Sequence, residues 1–113
     1  MLDDKVDFIA ELQYYTPEQG GRKTPARSGY RPHVKFSFSE MLTSGSQEFI
    51  SQEFVSPGEK VKAKIGFHCP DFFLESLEQG MEFDFREGPY VVGVGVIECI
   101  VNSKLKKNSI EKK

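Results

Sequence analysis

The sequence predicts an all-β protein of roughly six antiparallel strands, arranged as a barrel or a sandwich. Three observations lead to this fold class. Apolar and polar residues alternate with a period of two along several segments, which is typical of half-buried strands. Turn-forming glycines and prolines separate those segments. The repeating order of strand and long helix that a parallel sheet requires is absent from the sequence.

Two strands flank the longest loop of the first half. Residues 6–15 form the first strand, with an apolar side chain at every second position from Val6 to Leu12. Residues 18–33 form a loop whose glycines and prolines favour fixed turns over a flexible tract. Residues 34–38 form the next strand, and we expect its apolar residues, Phe38 included, to face inward.

The middle of the chain has weaker strand signals. Residues 39–46 are predicted as a loop, and residues 47–55 as one weak strand or two short ones. The sequence Ser56-Pro57-Gly58-Glu59 predicts a type II turn, because proline sets the first central φ and glycine supplies the positive φ at the second. Residues 61–68 then alternate cleanly and indicate a half-buried strand.

The last third begins with the one segment that has a helical pattern. Residues 70–79 are predicted as about two turns of helix that end at Gly80. Residues 81–86 alternate as a strand, and residues 90–101 form a final strand that is apolar on both sides. Its two glycines, Gly93 and Gly95, lie on one face and indicate coiling or the close approach of another backbone.

Length and composition limit the class of protein. A chain of 113 residues forms one domain, which we assign to residues 1–103, and the Lys-rich residues 104–113 are expected to be a disordered tail. Two cysteines are too few for a disulfide framework, and neither a signal peptide nor a membrane-spanning segment is expected. These features favour a cytoplasmic protein.

The formal net charge of −2 conceals an uneven distribution of charge. From Arg22 to Lys35 the chain has five lysines and arginines and neither aspartate nor glutamate. An acidic body with two local basic segments, this one and the Lys-rich residues 104–113, argues against broad, nonspecific nucleic-acid binding. It allows a localised contact with phosphate or with an acidic protein surface.

Four ordered motifs resemble the third, C-terminal domain of elongation factor Tu. They are Gly20-Gly21-Arg22-x-Thr24-Pro25-x-x-x-Gly29-Tyr30-Arg31-Pro32, Pro57-Gly58-Glu59-x-Val61, Gly80-Met81-x-Phe83-x-Phe85-Arg86-Glu87-Gly88, and Val92-Gly93-Val94-Gly95-Val96-Ile97. The resemblance runs from Val6 to Ile100 and implies a closed, six-stranded antiparallel barrel. The phosphate loop GxxxxGK[ST] is absent from the sequence, so this chain is not expected to bind a nucleotide.

The resemblance also implies candidate contact residues. In the family this barrel contacts the T-arm of tRNA, where Glu87 and Gly88 match, and a family lysine is replaced by Cys69. The barrel of the family also docks on a GTPase domain, where Gly20 is retained, His33 replaces a glutamine and Asp84 replaces an alanine. These matches define a predicted docking surface of Gly20, His33 and Asp84.

Several candidate residues have two interpretations each. Lys23, Arg27 and Lys35 are expected to face solvent and to neutralise phosphates. Arg22 and Arg31 either brace the long loop through backbone carbonyls and carboxylates or contact a partner. The aromatic pair Phe72 and Phe73 either caps one mouth of the barrel or forms an exposed patch for a partner.

The sequence does not favour catalysis. His68 and Cys69 are adjacent, and neighbouring strand residues point to opposite faces, so a catalytic pair is not expected. The histidines and cysteines have no spacing typical of metal ligands, so neither a metal nor another cofactor is expected.

The sequence therefore predicts a non-enzymatic binding module for tRNA or another structured RNA. The predicted contact residues are Lys23, Arg27, His33, Lys35, Glu87 and Gly88. The alternative is a protein–protein interaction module that mimics or docks on translation GTPase components and binds no RNA.

Overall fold

A computed structural model describes residues 6–107 and shows a closed β-barrel. The strands are β1 (Phe8–Tyr14), β2 (Ala26–Arg27), β3 (His33–Phe36), β4 (Thr43–Phe49), β5 (Phe54–Val55), β6 (Lys60–Phe67), β7 (Glu82–Glu87) and β8 (Tyr90–Ile100). Six of them close the barrel in the order β1-β6-β4-β3-β7-β8, and every neighbouring pair is antiparallel. Strands β2 and β5 form a separate two-stranded sheet. The predicted fold class, a six-stranded antiparallel barrel, is confirmed.

The connections between strands divide into two sets at opposite ends of the barrel. The loop end is formed by residues 15–32, residues 50–59 and the turn at Gly88 and Pro89. The aromatic end is formed by residues 37–42 and residues 68–81. The predicted turn at residues 56–59 belongs to the loop end; Gly58 has φ +89°, and the Glu59 N–H donates to the Ser56 carbonyl at 3.1 Å.

Phenylalanine rings fill the interior. Phe8, Phe36, Phe67 and Phe83 pack edge to face or tilted, with ring centroids 5.5–6.4 Å apart in the contacting pairs. The glycines of β8 make room for two of the rings, because a Cβ at Gly95 would overlap Phe83 and a Cβ at Gly93 would overlap Phe85. The predicted close approach at these glycines is therefore made mainly by aromatic rings.

Two strand boundaries differ from the sequence prediction. Strand β3 ends at Phe36, and Phe38 lies beyond it, half exposed, with its ring stacked on Phe36 at a centroid distance of 5.4 Å. Strand β4 begins at Thr43, inside the predicted loop 39–46. Its first inward residues are Thr43, Gly45 and Gln47, which are small or polar, so this strand lacks the apolar alternation that identifies the others.

The predicted helix over residues 70–79 is confirmed only at its start. A 3-10 helix spans Pro70–Phe73, and Leu74 then has ψ 128°, which ends the helical backbone. Glu75 has φ +54°, a left-handed conformation that a right-handed helix cannot contain. Further on, Leu77 pairs with Lys106 in an isolated bridge, so tertiary pairing replaces the second helical turn. Two further 3-10 helices lie at Pro17–Gln19 and Ser103–Leu105.

The ordered barrel extends past the predicted domain boundary at residue 103. Leu105 is completely buried, and the backbone of residues 105–107 is hydrogen-bonded to that of residues 76 and 77. The Asn102 side chain also donates to the Asp7 carboxylate at 2.8 Å. The first residues of the predicted tail therefore belong to the fold, whereas residues 108–113 lie outside the described residues, as do residues 1–5 where no signal peptide is expected.

Among residues 6–107, the structure has no helix that is both long and apolar enough to cross a membrane.

Candidate nucleic-acid interface

The loop end is held together by Arg22. Its guanidinium lies over the Tyr30 ring, 4.7 Å from the centroid, and donates to the Glu87 carboxylate. It also donates to the carbonyl oxygens of Thr24 at 3.2 Å and Pro25 at 3.1 Å. The Tyr30 hydroxyl donates to the same Glu87 carboxylate. Arg22 therefore braces the long loop and joins it to the end of β7.

Burial and the contacts within this brace shift two pKa values. Burial lowers the pKa of Arg22, but its hydrogen bond to Glu87 and the nearby charges outweigh burial, so the pKa lies above its ordinary value. Burial, followed by the Glu87 carboxylate, raises the pKa of Tyr30 well above its ordinary value. Arg22 therefore stays charged and Tyr30 stays neutral over the physiological pH range.

Glu87 and Gly88 lie at the turn between β7 and β8. The Glu87 carboxylate accepts from both Arg22 and Tyr30, so its charge is compensated within the barrel. Gly88 is exposed at the surface of the loop end and has φ +59°. The contacts predicted for these two residues remain predictions, with Glu87 already engaged inside the fold.

The predicted phosphate contacts Lys23, Arg27 and Lys35 do not form one cluster. Lys23 is exposed in the long loop of the loop end. Arg27 lies on β2, forms an exposed ion pair with Glu53 at 3.0 Å, and has its guanidinium 5.8 Å from the Phe54 ring centroid. Lys35 lies on β3, half buried, opposite Asp84 of β7.

The predicted docking residues are divided between the barrel side and the loop end. His33 and Asp84 lie on neighbouring strands, where His33 is opposite Arg86. The Asp84 carboxylate forms a two-bond ion pair with the Arg86 guanidinium, at 2.8 and 3.0 Å. This carboxylate raises the pKa of Arg86. Gly20 lies in the loop end, where it ends the 3-10 helix Pro17–Gln19 with φ +95°.

The structure brings together a polar surface that the sequence did not predict. We call it the outer wall, and it consists of the outward side chains of β3, β4 and β6 together with the flanking residues Arg31 and His68. Its members are Arg31, His33, Lys35, Ser44, Ser46, Glu48, Lys60, Lys62, Lys64, Gly66 and His68. Within residues 6–107, the side chains of Arg31 and His33 have neither a hydrogen bond nor an ion pair with another residue.

The sequence predicts the outward residues of this surface on separate strands but not that those strands lie side by side. The alternation of residues 61–68 predicts that Lys62, Lys64 and His68 face outward, and the earlier predicted strand 34–38 gives the same orientation for Lys35. Their proximity depends on the pairing of β4 between β3 and β6, and the start of β4 was predicted as a loop. The brace interpretation holds for Arg22 but does not hold for Arg31, which is exposed on the outer wall.

The aromatic end presents aromatic and other apolar side chains. Phe73 is buried, with its ring centroid 4.7 Å from Phe67 and 5.3 Å from Phe36, so it caps this mouth of the barrel. Phe72 is 54% exposed. The capping interpretation therefore holds for Phe73, and Phe72 is the exposed member of the pair. Further exposed apolar side chains in the connections of this end are Phe38, Met41, Leu42 and Leu74.

Within residues 6–107, the structure has no group of three or more histidine, cysteine, aspartate or glutamate side chains placed to hold a metal ion. His68 faces outward at the end of β6, and Cys69 begins the connection to the 3-10 helix.

The fold defines a class of protein: a closed, six-stranded antiparallel β-barrel. The family model described as the elongation factor Tu C-terminal domain matches residues 2–101 of this chain. The chain therefore belongs to that family, and it is a barrel module of the translation-factor type. That domain is non-catalytic in the family.

Proposed function

We propose that this protein is a non-enzymatic module that binds structured RNA, tRNA included, through its outer wall. The observation that carries the proposal is the row of Arg31, His33 and Lys35 on the exposed side of the barrel. Membership of a translation-factor family supports RNA as the partner. We place its action among translation components in the cytoplasm.

The row has the chemistry of a phosphate-backbone contact. Arginine and lysine supply much of the hydrogen bonding to phosphate in nucleic-acid complexes, and serine hydroxyls supply part of the remainder. Ser44 is opposite His33 in the sheet, so a hydroxyl lies beside the row. Structured RNA is recognised mostly by shape and by contacts to phosphate and 2′-hydroxyl groups, and a rigid sheet surface suits that mode.

The charge balance around Arg31 favours the outer wall over the loop end, although Lys62 of the wall is itself paired with Glu98 at 3.5 Å. At the loop end Arg22 is paired with Glu87, and Arg27 with Glu53. Only Lys23 among the predicted contacts there has no carboxylate partner within residues 6–107. A paired cation neutralises fewer phosphates when RNA arrives, because its own carboxylate competes for it. Because the loop end offers a single unpaired cation among these predicted contacts in the described residues, we put Lys23 and Gly88 at the margin of the interface.

The test measures fluorescence anisotropy of labelled tRNA with the full chain at several salt concentrations. We expect binding that weakens steeply as salt rises, because counterions are released from each neutralised phosphate. The double variant Arg31→Ala with Lys35→Ala should lower the salt slope by about two, one for each phosphate contact. Lys106→Ala removes one exposed charge at the far end of the chain and should leave the slope unchanged. Absence of binding at low salt would refute the proposal.

A second candidate function is supported by the aromatic end. Five large apolar side chains there, Phe38, Met41, Leu42, Phe72 and Leu74, are between 38% and 54% exposed. Exposed apolar groups of this size mark protein interaction sites when they are contiguous. This function is a protein–protein module that docks on a translation component. If the tRNA experiment fails, Phe72→Ser with Leu74→Ser should abolish capture of a translation GTPase, whereas Tyr90→Ser at the loop end should not.

A further inference from the structure

A cavity lies at the aromatic end, where three segments of the chain meet. It has a volume of about 390 Å³ and is lined by residues 6 and 7 before β1, by part of the segment 67–74, and by part of the segment 102–105 after β8. We propose that this cavity binds an organic cation, with an alkylammonium or alkylguanidinium group as its ligand. The inference goes beyond RNA binding and does not depend on it.

Asp7 brings a buried carboxylate to this cavity, because the residue is only 4% exposed. Its carboxylate accepts hydrogen bonds from the Phe67 backbone N–H at 2.7 Å and from the Asn102 side-chain amide at 2.8 Å, and both of these residues also line the cavity. Its backbone is held as well, since its N–H donates to the Ile65 carbonyl at 2.8 Å and its carbonyl accepts from the Val101 N–H at 3.0 Å. The position of the carboxylate is therefore fixed by the fold.

The two groups that donate to this carboxylate are neutral. Within residues 6–107, Asp7 forms no ion pair with a lysine, arginine or histidine. Buried charges in proteins are usually paired, because taking an isolated charge out of water is costly. A carboxylate has about four lone-pair sites, so Asp7 can accept further hydrogen bonds beyond the two that it has. A cation that enters the cavity would both balance the charge and use those sites.

The other charges around the cavity leave its lining net negative. Asp71 is exposed and adds a second carboxylate. Lys104 is also exposed and is the one lysine or arginine among the lining residues that the structure describes. It forms no ion pair within residues 6–107. Two carboxylates and one ammonium give the lining a formal charge of −1, which favours a cationic ligand over an anionic one.

The walls of the cavity favour an organic cation over a metal ion. Phe67, Leu74 and Leu105 contribute apolar side chains, and the described residues contain no group of three or more side chains placed to hold a metal. An alkyl chain can lie along apolar walls while its charged head reaches a carboxylate, as the side chains of lysine and arginine do. Pockets for small molecules occupy roughly 300–1,000 Å³, so this cavity suits a short chain.

Two sources can supply such a cation. One is a free alkyl amine, and the other is a lysine or arginine side chain of a protein segment. Leu74 belongs both to the cavity and to the exposed apolar side chains of the aromatic end, so a segment docked at this end could reach the cavity. Both sources present the same chemistry to Asp7.

The experiment titrates the ¹⁵N-labelled full chain with butylammonium and, separately, with 1-butanol, a neutral probe of the same length, and follows the amide signals. We expect saturable shifts of the Phe67 backbone amide and the Asn102 side-chain amide with butylammonium alone. Asp7→Asn keeps the shape and removes the charge, so it should weaken binding by about tenfold, the usual loss for a charge-assisted hydrogen bond. Glu75→Gln removes a charge from the same end outside the cavity lining and is the matched control; it should change the affinity by less than about twofold.

A second titration distinguishes the two sources of the cation. The capped peptide Leu-Lys-Leu is compared with Leu-Gln-Leu and with butylammonium. Binding of the lysine peptide that is tighter than that of butylammonium supports the side chain of a protein segment as the ligand. Tighter binding of butylammonium supports a free amine.

Three results would overturn the inference: no saturable shift with butylammonium, equal shifts with butanol, or an unchanged affinity in Asp7→Asn. The thermal midpoint shows whether each variant is folded. If Asp7→Asn is not, Asp71→Asn replaces it, with an expected loss of about threefold, and an unchanged affinity there counts equally against the site.

An internal counterion is the remaining alternative, and two lysines test it. Lys104 lines the cavity, and Lys5, which lies outside the described residues, precedes Asp7 by two positions. We expect Lys104→Ala to tighten butylammonium binding by about twofold, because it removes a competing positive charge, and Lys5→Ala to leave the thermal midpoint unchanged. If either variant lowers the midpoint as much as Asp7→Asn does, the carboxylate already has its partner and the inference is wrong.

Discussion

The loop end and the outer wall are both rich in cationic side chains, yet they use them differently. At the loop end Arg22 is bonded to Glu87, to two backbone carbonyls and to the face of Tyr30. On the outer wall Arg31, nine residues later in the chain, is exposed and forms no side-chain hydrogen bond or ion pair within residues 6–107. The same residue type thus stabilises the fold at one place and remains available to a partner at the other.

The comparison shows why a count of charges along the sequence is a poor guide to an interface. The basic segment from Arg22 to Lys35 looks continuous in sequence. In three dimensions its cations are divided between internal bonding at Arg22, an exposed loop position at Lys23, an exposed ion pair at Arg27, and the outer wall. Only those whose charge is not compensated locally add attraction for an anionic partner.

The largest expected effect on stability comes from a substitution at Gly21, the residue before Arg22. A Cβ there would overlap the backbone carbonyl of Tyr15, which cannot move without displacing the end of β1. Gly21→Ala should therefore lower the free energy of unfolding by about 2–3 kcal/mol, at the upper part of the range for overpacking. Urea unfolding measures it. Lys23→Ala, two residues later and exposed, is the control, and an equal loss in both would show that the loop is not docked as described.

The next effect separates the two arginines. Arg22→Ala should lower the free energy of unfolding by about 1–2 kcal/mol, because Glu87 and Tyr30 lose a partner while Glu87 stays partly in contact with water. Arg31→Ala should change it by less than about 0.5 kcal/mol, as is usual for an exposed residue. The same urea experiment measures both. A destabilisation by Arg31→Ala as large as that by Arg22→Ala would mean that Arg31 is also a brace.

The smallest effect concerns the exposed ion pair. Arg27 and Glu53 are both well exposed, at 72% and 58% of their side chains. Arg27→Ala should therefore cost less than about 1 kcal/mol of stability, and the loss should shrink as salt screens the pair. Thermal unfolding at low and high salt measures this. A loss that does not depend on salt would point instead to the packing of Arg27 over Phe54.

The fold was largely predictable from the sequence, and its irregular parts were not. Strands whose inward residues are apolar, such as β6 and β7, show an alternation of apolar and polar residues that identifies them in the sequence. Strand β4 begins with Thr43 and Gly45 at its inward positions, and its pairing is fixed by its neighbours instead. The sequence predicts a helix over residues 70–79 from its phenylalanines and leucines, but Leu77 is buried and its backbone pairs with Lys106 in an isolated bridge.

The candidate site was predictable only in its residue types. The pairing of Arg22 with Glu87 joins positions 65 residues apart, so no local sequence pattern predicts it. The outer wall likewise depends on the register of three strands, which places Ser46 beside Gly66. The sequence could identify exposed cations, but only the closed barrel shows which of them are already paired.

The most direct test compares the two regions in one binding experiment. The affinity of tRNA at low salt is measured for the wall pair Arg31→Ala with Lys35→Ala and for the loop pair Lys23→Ala with Arg27→Ala. Each pair removes two positive charges, so nonspecific attraction falls equally in both. We predict a loss of at least about tenfold for the wall pair and of no more than about threefold for the loop pair. Equal losses, or a larger loss for the loop pair, would contradict the assignment of the outer wall as the RNA interface.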